Sequence, residues 1–235
     1  RDGNPFVTAE VTKKVAYELR SAILKSYYNH LKFVRRRLSF RDVSEILKDL
    51  SEILYDAIFK ENDISSEQIL NKIDEAEDIL IKHHNGLFLD ILYSFKDRVK
   101  IFGTHFATLD IRQDSRVHQQ VIDEVYSKLF PNQEVDNKTK YSKLIEVSEK
   151  VNADNFQDIV KDTLETVSQI TEIQKQNGWR GMNRYIISNS DDVKDVMNVY
   201  AFFKICGYKE NDIKMDIVPL FETMEGLANA ESVMT

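Results

Sequence analysis

The sequence predicts a mainly α-helical fold that also contains a few parallel β-strands. Apolar residues recur every three or four positions through most of the chain, as on the buried face of amphipathic helices. Three short segments have strand composition, and helical patterns separate them, which favours parallel βα units over hairpins. These segments are 106–111, 184–188 and 216–223.

Long helices are predicted throughout the first half of the chain. Their apolar periodicity covers 11–38, 40–58, 65–80 and 87–100. Thr8 is a candidate N-cap for the first helix. Ser39 and Asp42 resemble a capping box before the second helix, although the usual partner is Glu or Gln, and Ser65 with Gln68 forms a better one before the third.

The second half combines the three predicted strands with shorter helices. Helical patterns are found at about 114–130, 141–150, 154–177 and 190–206. We therefore divide the chain into a long-helix region, 1–104, and a region of βα units, 105–235, within one continuous structural unit. Three strands cannot close a barrel, so the second region would contribute its strands to an incomplete barrel. The chain lacks an initiator methionine and ends inside a helical pattern, which favours a fragment of a larger helix-rich α/β barrel.

Composition and charge exclude several classes of function. The net charge of −7, from 32 basic and 39 acidic residues, argues against nucleic-acid binding. The basic run 35–37 is interpreted as a solvated helix end. No apolar run approaches the length needed to span a membrane and no signal peptide is visible, so we expect a cytoplasmic protein. Cys206 is the single cysteine and is expected to be a core thiol.

Familiar catalytic motifs are also missing from the sequence. The seven glycines are scattered, which excludes a glycine-rich phosphate loop. The five histidines form no HExxH motif and no pair with a second ligand at a suitable spacing. We therefore expect all five histidines to be structural or surface residues.

Two charged residues stand at the ends of predicted strands. Arg112 closes one strand and shares a strand face with Asp110, and Glu222 closes another. Taken singly, Arg112 is typical of an ordinary salt bridge and Glu222 of a carboxylate that caps the next helix. In parallel βα architectures, however, functional residues gather at the C-terminal ends of strands. An arginine suits phosphate or carboxylate and a glutamate suits a hard metal ion, so the pair indicates a phosphorylated or polyanionic substrate.

Four stretches of the chain carry a family resemblance. They are RDGNPFVTAEVT (1–12), LDIRQDSRVH (109–118), RYIISNSDDVKDVMNV (184–199) and VPLFETMEGLANAESVMT (218–235). In this order they resemble the GGDRDGNP, DIRQES, YVIS and PLFET segments of bacterial-type phosphoenolpyruvate carboxylases. Asp114 stands where that family usually has Glu, and Arg116 and Val117 replace a pair whose second member is commonly Arg. Between about 13 and 104 the chain matches the family in character more than in letters.

The resemblance implies a lyase that joins bicarbonate to phosphoenolpyruvate, giving oxaloacetate and phosphate, with Mg²⁺ or Mn²⁺ as cofactor. It implies that Arg112 binds the substrate phosphate and that Glu222 is a metal ligand. Arg1, Asp2 and Asn4 match a motif near the active-site entrance and are expected to support substrate binding. As a hypothesis from strand parity, Asp110 orients the Arg112 guanidinium. A homotetramer is implied for the whole enzyme.

The same resemblance implies that this chain alone is inactive. The family's catalytic histidine, second metal aspartate, glycine-rich mobile loop and further phosphate-binding arginines are outside the sequence. Two alternatives stay open at this point. One is a helical interaction or regulatory module without catalysis, and the other is a different barrel enzyme that acts on a phosphorylated enol or keto acid.

Overall fold

The computed structural model describes residue 4 and residues 6–60 and 62–234. Within these residues the fold is mainly helical with one small parallel sheet, which confirms the predicted class. The helices are α1 (Ala9–Arg37), α2 (Arg41–Phe59), α3 (Ser66–His83), α4 (Leu89–Phe102), α5 (Ser115–Leu129), α6 (Asn137–Ile145), α7 (Asp158–Ser168), α8 (Ile170–Asn177), α9 (Val193–Ile205) and α10 (Met224–Met234). The strands are β1 (Asp110–Asp114), β2 (Arg184–Ser188) and β3 (Asp216–Pro219).

The helix starts follow local capping chemistry. The Val11 N–H donates to Thr8 Oγ1 at 3.3 Å, which confirms Thr8 as the cap of α1. Ser65 and Gln68 form a complete capping box before α3, with both reciprocal hydrogen bonds present. The capping box predicted at Ser39 is wrong, because α2 begins after Phe40 and has no side-chain cap.

The chain divides into two compact units, each discontinuous in sequence. The helical unit comprises 14–108 and 172–181, and the sheet unit comprises 1–13, 109–171 and 182–235. The division predicted at 104/105 stays a prediction, and nothing in the sequence predicted that 172–181 belongs to the helical unit. No helix in the described ranges is long and apolar enough to cross a lipid bilayer.

The helical unit is built on the apolar faces of its four long helices. Phe95, on α4, is fully buried and meets the Tyr27 ring of α1 edge-on at a centroid distance of 5.9 Å. The Tyr27 hydroxyl donates to the Gly103 carbonyl at 2.7 Å, so this buried polar atom is satisfied. The rest of the core is aliphatic and includes Leu31, Leu47, Leu50, Leu54, Ile69, Ile73, Leu80 and Val99.

The sheet unit contains a parallel three-stranded sheet in the order β1-β2-β3. Asp110 pairs with Arg184 and Arg184 with Asp216, so residues in register share one face of the sheet. Ile111, Tyr185 and Ile187 lie on the other face and are 5%, 1% and 0% exposed. They belong to a core that includes Val121, Val125, Phe202 and Phe203 of α5 and α9. Cys206 lies in this core as a buried free thiol, as predicted.

The first strand lies later in the sequence than predicted. The structure places β1 at Asp110–Asp114 instead of 106–111. Helix α4 runs to Phe102, and the following turn contains Gly103 and Phe106 at φ values of 50° and 64°, which are incompatible with a strand. Arg112 is therefore the central residue of β1, and Asp114 is the residue that ends the strand.

Candidate active-site edge of the sheet

Arg112 projects from the sheet face opposite the buried core of α5 and α9. It alternates with Ile111 and Gln113, which are buried, and its own side chain is exposed. Among the described residues, the Arg112 side chain forms no hydrogen bond or ion pair. An exposed guanidinium without such a partner has all its N–H donors available for a bound anion.

Asp110 lies on the same face as Arg112 but is paired with a different arginine. Its Oδ1 accepts a hydrogen bond from Arg184 Nε at 3.0 Å, across the β1–β2 register. This pair is partly exposed, so it contributes little to stability. The orientation of Arg112 by Asp110 stays a prediction. Asp110 Oδ2 forms no hydrogen bond with a described residue and is available to accept from Arg112.

Glu222 lies just beyond the C-terminal end of β3. The sheet hydrogen bonding continues past the strand, because the Leu220 N–H donates to the Ile187 carbonyl at 2.9 Å. Glu222 is exposed, and its Oε2 accepts a hydrogen bond from the Asn189 backbone N–H at 3.1 Å. Its other carboxylate oxygen has no hydrogen bond to a described residue.

Asn189 connects the ends of all three strands. It follows β2 directly, and its φ of 51° lies in the left-handed region. Its side-chain Nδ2 donates to Asp114 Oδ2 at 2.8 Å, its carbonyl accepts from Ser115 Oγ at 2.7 Å, and its N–H reaches Glu222. The sequence analysis missed this residue. An asparagine directly after a predicted strand was the available signal, because asparagine tolerates the left-handed region better than most residues.

Asp114 is held in its ionised form by donors on three sides. Arg116 approaches it through Nε and Nη2 at 2.9 and 2.6 Å and through its backbone N–H at 2.8 Å, while Asn189 supplies a further donor. These hydrogen bonds, with the Arg116 side chain first, hold the pKa of Asp114 well below its usual range. Asp114 and Arg116 both differ from the motif that this stretch resembles, and they pair with each other.

A buried carboxylate fixes the loop between β2 and α9. Asp195 is 3% exposed and accepts hydrogen bonds from the backbone N–H groups of Asp191 and Asp192 at 3.0 and 3.3 Å. Burial raises its pKa, and the two backbone donors oppose that effect. The Thr223 hydroxyl donates to Asp191 Oδ1 at 3.4 Å, which joins this loop to the segment after Glu222.

The residues of the predicted entrance motif are only partly described. Arg1 and Asp2 lie outside the described residues. Asn4 is exposed, and its Oδ1 accepts from the Phe6 N–H at 3.0 Å, so it closes a local turn. Substrate support by these three residues stays a prediction.

The Glu222 carboxylate could serve as one ligand of a hard divalent cation. Mg²⁺ is typically bound through one or two carboxylates, with water and substrate oxygens completing an octahedral shell. Glu222 offers a free carboxylate oxygen at the edge of the sheet. Within the described part of the chain, no group of three or more His, Cys, Asp or Glu residues could hold a metal ion by itself. Glu222 would therefore need further ligands from water, substrate or other protein segments.

These features define a class of protein: a parallel βα structure whose polar and charged side chains gather where the strands end, as in α/β enzymes. A family model described as phosphoenolpyruvate carboxylase matches residues 1–64 and 57–235. The chain thus belongs to the phosphoenolpyruvate carboxylase family.

Individual relatives match the whole chain. The phosphoenolpyruvate carboxylases of Gloeobacter violaceus, Shewanella sediminis and Shewanella loihica are 26%, 31% and 29% identical to it over 298, 276 and 275 residues. These alignments cover 100% of this chain but only 32%, 30% and 30% of the relatives. The chain thus corresponds to about a third of the length of the relatives it matches.

Proposed function

We propose that this chain forms part of an enzyme that carboxylates phosphoenolpyruvate with bicarbonate, giving oxaloacetate and phosphate. The observation that carries the proposal is the arrangement of the two site residues in a chain of this family. Arg112 lies in β1 and its guanidinium is unpaired among the described residues, while Glu222 follows β3 of the same sheet. Hydrogen bonds of Asn189 to Asp114 and Glu222 link the ends of these strands.

Arg112 would bind the phosphoryl group of the substrate. A bicarbonate oxygen attacks phosphorus, and the bond from phosphorus to the enol oxygen breaks, giving carboxyphosphate and the enolate of pyruvate. Negative charge grows on the phosphoryl oxygens during this step, and a fixed guanidinium stabilises that charge with little reorganisation. Carboxyphosphate then releases phosphate and carbon dioxide, and the enolate carbon forms the new C–C bond.

Glu222 would hold the divalent cation. Mg²⁺ or Mn²⁺, when bound, would supply positive charge for the developing enolate oxygen. The hydrogen bond from the Asn189 N–H fixes one Glu222 oxygen and leaves the other for the cation. Asp110 would assist by orienting Arg112, and Arg1, Asp2 and Asn4 would support substrate binding at the entrance.

We further propose that the isolated chain is inactive, because Glu222 would be one ligand where a complete cation shell needs several. The active enzyme would then be a longer, cytoplasmic polypeptide that assembles as a homotetramer. Bicarbonate-dependent oxaloacetate formation by the isolated 235-residue chain would contradict this part of the proposal.

The experiment compares variants of a polypeptide that carries this chain together with the remaining family segments. Arg112→Gln should lower kcat/KM for phosphoenolpyruvate by about 100-fold, since it removes one charge-stabilising group. Glu222→Gln should raise the Mn²⁺ concentration that gives half-maximal activity. Arg41→Gln is the matched control, because Arg41 is an exposed cation in the helical unit whose side chain is 91% accessible.

The outcome separates the proposal from its alternatives. Unchanged kinetics in both site variants would remove Arg112 and Glu222 from the active site. Absence of oxaloacetate formation by the unsubstituted longer polypeptide would instead favour an interaction module, or an enzyme that acts on another phosphorylated enol or keto acid.

A further inference from the structure

The helical unit contains a cavity of about 530 Å³ that the proposed carboxylation does not use. Its walls come from the start of α3, the C-terminal end of α4 with the turn after it, and residues 177–180. This volume is in the range of pockets that hold small metabolites, about 300–1,000 Å³.

Two cations line this cavity, and no acidic side chain does. Lys100 and Arg180 are exposed, and neither forms an ion pair with any residue in the described part of the chain. His105 also lines the cavity, and its pKa is lowered, first by burial and then by the positive charge of Arg180. No acidic side chain of the wall therefore opposes the two cations.

The start of α3 adds to the positive potential. Ser66, the first residue of this 18-residue helix, lines the cavity. The capping box occupies the Gln68 N–H, and the positive end of the helix dipole lies at this terminus. The helix end, Lys100 and Arg180 thus all favour an anion in the same space.

The walls of the cavity are fixed in place. The Gly103 carbonyl accepts a hydrogen bond from the buried Tyr27 hydroxyl, and a Cβ at Gly103 would come within 2.8 Å of His105 Nδ1. Asn177 is 2% exposed and donates from Nδ2 to the Ala16 carbonyl at 2.8 Å.

We propose that this cavity binds a compact, doubly charged oxyanion between Lys100 and Arg180. Inorganic phosphate or a phosphate ester would provide this chemistry, and so would a small dicarboxylate. The two cations match the charge of such a ligand, and Trp179 adds a flat apolar wall beside it. The site is distinct from Arg112 and Glu222, and it does not depend on the carboxylase proposal.

Trp179 makes the proposal directly measurable, because it is the single tryptophan of the chain. The purified chain is titrated with phosphate and separately with succinate at slightly alkaline pH, with potassium chloride of equal ionic strength as the reference. We expect a saturable change in Trp179 fluorescence, accompanied by a matching binding isotherm in calorimetry. The more tightly bound ligand identifies the anion source as phosphate or dicarboxylate.

Variants locate the binding. Lys100→Gln and Arg180→Gln should each weaken binding about fivefold, the upper range for an exposed charge pair, whereas Arg41→Gln should bind like the unsubstituted chain. Both site residues are exposed, so their replacement should leave the unfolding midpoint unchanged. The proposal is overturned if neither anion gives fluorescence change or heat beyond the chloride reference. It is also overturned if both variants retain full affinity.

Discussion

Replacement of Asn189 by alanine tests whether this residue ties the strand ends together. Alanine loses the 2.8 Å hydrogen bond to the Asp114 carboxylate and must adopt a φ of 51°. A hydrogen bond to a charged group contributes about 1.5–3 kcal/mol, and partial exposure places this one at the lower end. The left-handed backbone costs an alanine about 1 kcal/mol more. We expect Asn189→Ala to lower the free energy of unfolding by about 2.5 kcal/mol.

Two further variants separate the backbone cost from the side-chain contact. Asn189→Gly loses the hydrogen bond but accepts the left-handed conformation, so we expect a loss of about 1.5 kcal/mol. Asn132 has a φ of 64°, is exposed, and forms no side-chain hydrogen bond with a described residue. Asn132→Ala should therefore show the backbone cost alone, about 1 kcal/mol.

Urea unfolding followed by circular dichroism measures all three variants against the unsubstituted chain. The reasoning is refuted if Asn189→Ala is no more destabilising than Asn132→Ala. In that case the contact between Asn189 and Asp114 contributes nothing to stability, and the ends of the strands are held by the sheet alone.

Other groups give independent tests. Burial lowers the pKa of His118 to about 3, so between pH 6.5 and 3 the unfolded chain binds a proton that the folded chain does not. The free energy of unfolding should therefore fall by up to about 1.4 kcal/mol per pH unit on acidification. This fall should be smaller in His118→Gln, which has no imidazole to protonate. Urea titrations across this pH range measure the difference, and equal pH slopes would contradict it. Burial raises the pKa of Cys206 to about 11, so iodoacetamide should modify it much faster in urea than in buffer, and equal rates would refute its burial. Phe95→Ala should lower the free energy of unfolding, measured in urea, by about 3–5 kcal/mol, because Phe95 is fully buried. Phe59 is 61% exposed, so Phe59→Ala should lower it by less than about 1 kcal/mol. Equal losses in the two variants would contradict the assigned core.

The helices of this chain could be predicted because their buried faces are continuous. Apolar residues at helical spacing follow α1, α2, α3 and α4 with errors of a few residues at most. The prediction of a single helix over 154–177 was less accurate, since α7 ends at Ser168 and α8 begins at Ile170. Apolar spacing continues across this break, so the pattern contains no sign of it.

For the site, the alternation of residues along a strand predicted which side chains share a sheet face, but not which side chains bond to each other. Alternation placed Asp110 and Arg112 on one face, and the structure agrees. Parity does not identify the partner of a side chain, and Asp110 bonds Arg184 of the neighbouring strand, 74 residues away in sequence. The contacts of Asn189 with Asp114 and Glu222 likewise depend on strand register, which a single sequence does not specify.

The central claim is that Arg112 and Glu222 belong to one substrate site. The most direct measurement is a crystal structure of the longer polypeptide with Mn²⁺ and an unreactive phosphoenolpyruvate analogue, in which anomalous scattering locates the metal. We predict a Mn²⁺ peak about 2.1 Å from a Glu222 carboxylate oxygen and an analogue phosphate in hydrogen-bond contact with the Arg112 guanidinium. A metal bound elsewhere, or a phosphate that makes no contact with Arg112, would contradict the claim.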